Sequence, residues 1–205
     1  HLLVAGTRWT SASTGAEALE RGPCHGWVAR LGPDSDTEWL HDLGDPAGFL
    51  TVSGMARSTR GRLVVTGRFR GRANLGAATL EASGDSAYVA LLDGTGAVMA
   101  ARATPAGGCL AVDATGRILL SGSQGVLLVD PTAAPDAAPT WLLRWEKNAV
   151  RSIRGCAAVG AHHLIVGGTA DASAKIGGRS LPAPLTTRFP HLPASSAGFV
   201  AKLAY

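Results

Sequence analysis

The chain has 205 residues, enough for one well-buried core and short for two ordinary domains, so the length points to a single domain over residues 1–205. Apolar residues make up 46% and charged residues 17%, a balance that excludes a disordered chain, and 27 Gly with 11 Pro are scattered as in many short strands joined by tight turns. The net charge is +4, but the basic residues are dispersed apart from Arg68, Arg70 and Arg72, and aromatics are only 5%, so no nucleic-acid partner is expected. No apolar run approaches the roughly 18 residues that cross a bilayer as a helix, and no membrane span is expected. The sequence opens on His1 with no signal peptide before it, which reads as a processed product or an excised piece.

Taken in chain order, one hexamer recurs four times: His1-Leu2-Leu3-Val4-Ala5-Gly6, Arg62-Leu63-Val64-Val65-Thr66-Gly67, Arg117-Ile118-Leu119-Leu120-Ser121-Gly122 and His163-Leu164-Ile165-Val166-Gly167-Gly168. Each is a cationic or imidazole residue, three aliphatics, a small residue and Gly. The first two copies stay in step at an offset of 61, from Trp27 to Tyr88 and from Trp39 to Ala100. The second and fourth hold an offset of 101 as far as Leu80 and Leu181, after which ten extra residues enter the Pro-rich stretch between Pro182 and Pro193. A constant offset across separate segments marks homologous units, here spanning approximately residues 1–49, 50–105, 106–148 and 149–205.

Each unit reads as four short strands, a to d. Strand a is clearest at Cys109 to Val112, followed by the turn Asp113-Ala114-Thr115-Gly116, and strand b is the hexamer. Strand c covers Trp27 to Leu31, Tyr88 to Leu92, Val126 to Val129 and Phe199 to Leu203. Asp93-Gly94-Thr95-Gly96 signals the hairpin into strand d, which covers Glu38 to Leu43, Val98 to Ala103 and Thr140 to Trp145. Unbroken aliphatic triplets in strand b fit strands covered on both faces. The pattern predicts an all-β fold, a β-propeller of about four four-stranded repeats, either complete or part of a larger ring. By this count the first unit lacks strand a and the fourth lacks strand d, so the ends either pair with each other or with the remainder of a longer parent chain.

The residues singled out for chemistry divide between ordinary and functional explanations. Adjacent His162 and His163 on a strand would point to opposite faces and could not both reach one metal ion. Asp34-Ser35-Asp36-Thr37-Glu38 alternates carboxylates but lacks the glycine and distant glutamate of a calcium loop, and it falls at a c-to-d turn. No catalytic motif is legible, and no metal or cofactor is expected. Trp27, Trp39, Trp141 and Trp145 sit where packing between units would place them, with a carbohydrate platform as the alternative. Cys109 and Cys156 occupy matching places on consecutive strands a and form the candidate disulfide, provided those strands come within about 7 Å, while Cys24 lies apart beside Pro23.

Ala111-Val112-Asp113-Ala114-Thr115-Gly116, Val64-Val65-Thr66-Gly67-Arg68-Phe69-Arg70-Gly71 and Phe199-Val200-Ala201-Lys202-Leu203 resemble the seven-bladed-type β-propeller repeats of secreted and surface proteins of bacteria. The resemblance implies an extracellular or cell-surface location, with the periplasm as an alternative. It also implies a non-enzymatic scaffold or recognition module with a protein or glycan partner. The competing expectations are a propeller lyase or hydrolase with its site at the channel mouth, and a structural assembly subunit. Because fold does not give function, a binding site is sought in the long b-to-c excursions, above all in the inserted loop with Arg188, Phe189 and His191.

Overall fold

The computed structural model describes residues 1–9, 23–105, 107–134, 137–146, 149–171, 175–176, 179–180 and 196–205. Among these the fold is all-β, with sixteen strands. The chain divides into two compact units, residues 1–107 with 131–137 and residues 108–130 with 138–205.

The first unit contains β1 (Leu2–Trp9), β2 (Cys24–Leu31), β3 (Thr37–Leu43), β4 (Phe49–Arg57), β5 (Leu63–Leu75), β6 (Ala78–Leu92) and β7 (Val98–Thr104). β1, β2 and β3 form one antiparallel meander, and β4 to β7 form a second. A parallel bridge between Cys24 and Phe49 joins them into one seven-stranded sheet. Its core is built from Val28, Leu50, Val65, Phe69, Tyr88 and Leu92, among others, all nearly or fully buried.

The second unit contains β8 (Cys109–Val112), β9 (Ile118–Gly122), β10 (Gly125–Val129) and β11 (Thr140–Arg144), a four-stranded meander. Beside it β12 (Val150–Val159), β13 (His163–Asp171) and β16 (Ser196–Ala204) form a three-stranded sheet, and the short β14 (Lys175–Ile176) and β15 (Arg179–Ser180) pair with each other. Leu119, Val126, Trp145, Val150, Leu164 and Phe199 anchor the core of this unit. No sheet closes on itself among the described residues.

The four repeated hexamers lie on β1, β5, β9 and β13, and each is followed by a strand c that pairs with it: β2, β6, β10 and β16. The aliphatic triplets are covered on both faces in two copies only. Leu63, Val64 and Val65 are buried, as are Ile118, Leu119 and Leu120, whereas Leu2 and Ile165 are exposed.

The hexamer's last glycine has a packing reason. Gly6 pairs with Trp27, Gly67 with Tyr88 and Gly168 with Phe199, so an aromatic ring on strand c stands opposite a residue with no side chain. On the other edge, β4 carries an extra residue, Ser53, and β12 an extra Arg154, each next to the partner of the glycine; β12 has a second extra residue, Arg151, nearer its start. These bulges press a carbonyl inward: a Cβ on Gly67 would lie 1.8 Å from Thr51 O, and one on Gly168 would lie 2.0 Å from Ser152 O. The third copy solves the same place differently, since Trp145 Nε1 donates to the Gly122 carbonyl over 2.7 Å.

Turns are equally regular. Residues 32–36, 58–62, 93–97 and 113–117 share one hydrogen-bond pattern, in which the first residue donates to the fifth and the fourth donates back to the first. The fourth residue is left-handed in each, Gly61, Gly96 and Gly116 at φ of 76°, 86° and 87° and Ser35 at 65°. This is a type I turn closed by a left-handed residue, which glycine adopts without strain. Residues 68–86, one of the long b-to-c excursions, are a continuation of β5 and β6 into a ribbon that closes through a two-residue turn at Gly76.

Candidate functional site

The a-to-b and c-to-d turns emerge at one end of the first unit, and their side chains build a small site there. Asp93 opens the turn between β6 and β7. Its Oδ1 accepts from Thr95 N, Thr95 Oγ1 and Ala97 N at 2.8, 2.7 and 3.0 Å. The Thr95 hydroxyl, with the backbone N–H groups behind it, holds this carboxyl below its ordinary pKa, so it is ionised at neutral pH. The turn rests on β3: a Cβ on Gly96 would meet the rings of His41 and Trp39 at 2.6 and 2.7 Å, and His41 Nε2 donates to the Thr95 carbonyl over 2.9 Å.

Between this turn, the Ser58–Gly61 turn and the starts of β1 and β5 lies a cavity of about 200 Å³. Leu3, Leu63 and Trp39 give it apolar walls, and Arg30, Arg57 and Asp93 contribute polar groups. Glu38 takes Arg30 Nε on one oxygen and His1 Nδ1 on the other, both at 2.7 Å. Arg57 has no ion-pair or hydrogen-bond partner among the described residues, and Trp39 Nε1 is buried without one. Arg30, Arg57, Asp93 and the His1 imidazole offer a ligand charge and hydrogen bonds, and Leu3, Leu63 and Trp39 offer apolar contact.

The opposite end of the first unit carries the b-to-c excursions. Asp85 binds Arg70 Nε at 2.6 Å and Arg68 at 3.4 Å, and the Arg70 guanidinium stacks 4.8 Å above Phe49. Two members of the arginine cluster are therefore ion-paired rather than merely solvated. His25 is buried with Nε2 3.4 Å from Asp42 and Nδ1 unpartnered. Beside it Cys24 is a buried free cysteine, its thiol pKa pushed up by burial. Arg188, Phe189 and His191 of the inserted loop lie outside the described residues.

In the second unit Cys109 and Cys156 are joined by a disulfide with their Cα atoms 5.7 Å apart, which ties β8 to β12. Nearby, Asp113 has no exposed side-chain surface and accepts from Thr115 N, Thr115 Oγ1 and Arg117 N at 2.9, 2.7 and 2.9 Å. Its other oxygen takes Arg117 Nε at 2.7 Å and the Tyr205 hydroxyl at 3.2 Å. Arg117 also stacks under the Tyr205 ring and donates to the Ala161 carbonyl. Burial works to raise the Asp113 pKa, but the Thr115 and Arg117 hydrogen bonds outweigh it and leave the value at about 2.

Trp145 is buried, and Trp141 lies 4.4 Å beneath Arg144. His163 is on β13 while His162 belongs to the preceding turn. Among the described residues no three His, Cys, Asp or Glu side chains converge as metal ligands would. Of the residues the sequence singled out, His1 and Trp39 line the cavity; Arg30 and Asp93 were legible only as strand and turn residues, and Arg57 not at all. No protein-family model matches the chain, and no curated protein matches it in sequence. No helix among the described residues is long and apolar enough to cross a membrane.

Proposed function

We propose that the chain is a run of blades of a bacterial β-propeller of the seven-bladed-repeat type, acting as a non-enzymatic scaffold or recognition module of an exported protein. The observation that carries this reading is the repeated antiparallel meander, β4 to β7 and β8 to β11, with the sequence hexamer on the second strand of each. The recurrence of the glycine–aromatic pair and of the bulge at the same repeat position supports a common blade ancestor. A disulfide between Cys109 and Cys156 favours an oxidising compartment, hence the cell surface or the extracellular space. The partner is a protein or a glycan, met on the face where the b-to-c excursions emerge.

The test is a glycan array probed with the whole chain and with a variant lacking residues 182–193. Retained circular dichroism with weakened array binding supports the recognition reading, and unchanged binding removes the inserted loop from it. Release of cleaved sugar would favour an enzyme. A second reading, a structural assembly subunit, draws on β16, which among the described residues pairs with β13 alone and exposes 79% of Val200. Light scattering over a concentration series separates it from a monomeric binder.

A further inference from the structure

We propose that the cavity of about 200 Å³ in the first unit is a binding site for one neutral saccharide unit, held between Arg57 and Asp93 against the Leu3, Leu63 and Trp39 walls. The site lies at the end of the first unit opposite the β5–β6 ribbon, and the inference does not depend on the recognition face proposed above.

The charge inventory selects the ligand. Glu38 already bonds both Arg30 and His1, so the charge of Arg30 is balanced within the protein, although Glu38 engages only its Nε. Arg57 and Asp93 remain, one positive and one negative. Their opposite signs give no net attraction for an anion or a cation, which would gain one partner and be repelled by the other. A hydroxyl group both donates and accepts, so a pair of neighbouring hydroxyls can accept from the Arg57 guanidinium and donate to the Asp93 carboxylate. The turn engages Asp93 through Oδ1, which accepts three hydrogen bonds, leaving Oδ2 to bind.

Apolar surface and size narrow the choice further. Two leucines and an indole need C–H surface from the ligand, which a sugar ring carries on its faces and a small polar ion does not. The volume is below the roughly 300 Å³ at which sites for drug-sized ligands begin, so it suits a single ring, with any further sugars of a chain outside. Preformed order lowers the cost of binding: the carboxylate is fixed by its turn, and Trp39 is packed against Gly96 before any ligand arrives.

The experiment is a titration of the whole chain, followed by its indole and amide resonances, with methyl glycosides of glucose, galactose, mannose and N-acetylglucosamine. Sodium acetate and methylammonium chloride at matched ionic strength serve as charge controls, and Trp39→Phe assigns the indole signal. The expected result is saturable, millimolar binding of at least one glycoside that shifts the Trp39 indole, with no saturable shift from either ion. Arg57→Ala, which removes an exposed side chain with no ion-pair or hydrogen-bond partner among the described residues, should weaken that binding at least tenfold and leave the other resonances in place. Saturation by acetate with the glycosides inert would overturn the proposal in favour of an anion site. So would unchanged affinity in Arg57→Ala, or no response to any glycoside. Deleting residues 182–193 should leave this binding intact, which separates the fate of this site from that of the excursion face.

Discussion

Asp113 is the residue on which the stability of the second unit should depend most visibly on pH. Its side chain has no exposed surface, and its folded pKa is about 2 against an ordinary 3.8. A depressed carboxylate pKa means that its contribution is present in full above the unfolded value and is lost as pH falls from about 4 towards 2. The shift corresponds to about 2 kcal/mol, of which roughly half is gone by pH 3. Asp113→Asn keeps an acceptor for Thr115 and Arg117 N–H groups but removes the charge facing Arg117, so it should cost about 2 kcal/mol at pH 7 and about 1 kcal/mol at pH 3. Asp113→Ala, which also strands two turn N–H groups and leaves the half-buried Arg117 without its carboxylate, should cost about 4 kcal/mol at pH 7. The assay is urea unfolding at both pH values, followed on the β9 and β13 amide resonances. A difference between wild type and Asp113→Asn that stays the same at pH 7 and pH 3 would refute the reasoning. Asp93 provides an internal contrast: it caps the same turn by the same three bonds, but at an exposed position without the arginine and tyrosine partners.

Other consequences are as direct. Gly67→Ala should destabilise the first unit by about 3 kcal/mol, because its Cβ would collide with Thr51 O and force the β4 bulge apart; thermal melting measures the loss, and a neutral result would show that the bulge gives way freely. Ser35→Gly should raise the melting temperature modestly, by relief of about 0.5 kcal/mol, since Ser35 holds a left-handed φ of 65° in a turn whose three relatives use glycine. In denaturant without reductant one thiol per chain, that of Cys24, should react with iodoacetamide, and all three after reduction, as read by mass. Reduction should also cost the second unit about 4 kcal/mol by the chain-entropy relation for the 47-residue separation, and Cys109→Ser with Cys156→Ser should abolish that sensitivity.

The hexamer, its glycine and the turn sequences were all legible in the amino-acid order, because the forces that select them act locally. A left-handed turn residue favours glycine, as at Gly61, Gly96 and Gly116, and strands favour unbroken aliphatics, which are buried in β5 and β9 and partly exposed in β1 and β13. Repetition then made those local demands stand out, and the strands lie where the repeat put them. What repetition could not convey was why the hexamer ends in glycine. That depended on a carbonyl from a bulge fourteen or more residues away and on an aromatic ring across the strand, neither visible until β4, β5 and β6 lie side by side.

The cavity shows the same division more sharply. Arg30, Arg57 and Asp93 belong to three different strands or turns, and nothing in their spacing brings them together. Glu38 read as part of a turn with a faint calcium flavour, yet its carboxylate spans Arg30 and His1. Likewise Asp113 was legible as a turn former through its own Thr115 and Gly116, while its bond to Tyr205 spans 92 residues. Sequence alone determined the repeated strands and turns, since strand propensity and turn conformation are written residue by residue. Tertiary structure alone decided which turn ends meet and which charges are left without a partner, because those depend on the packing of distant strands, which no local pattern encodes.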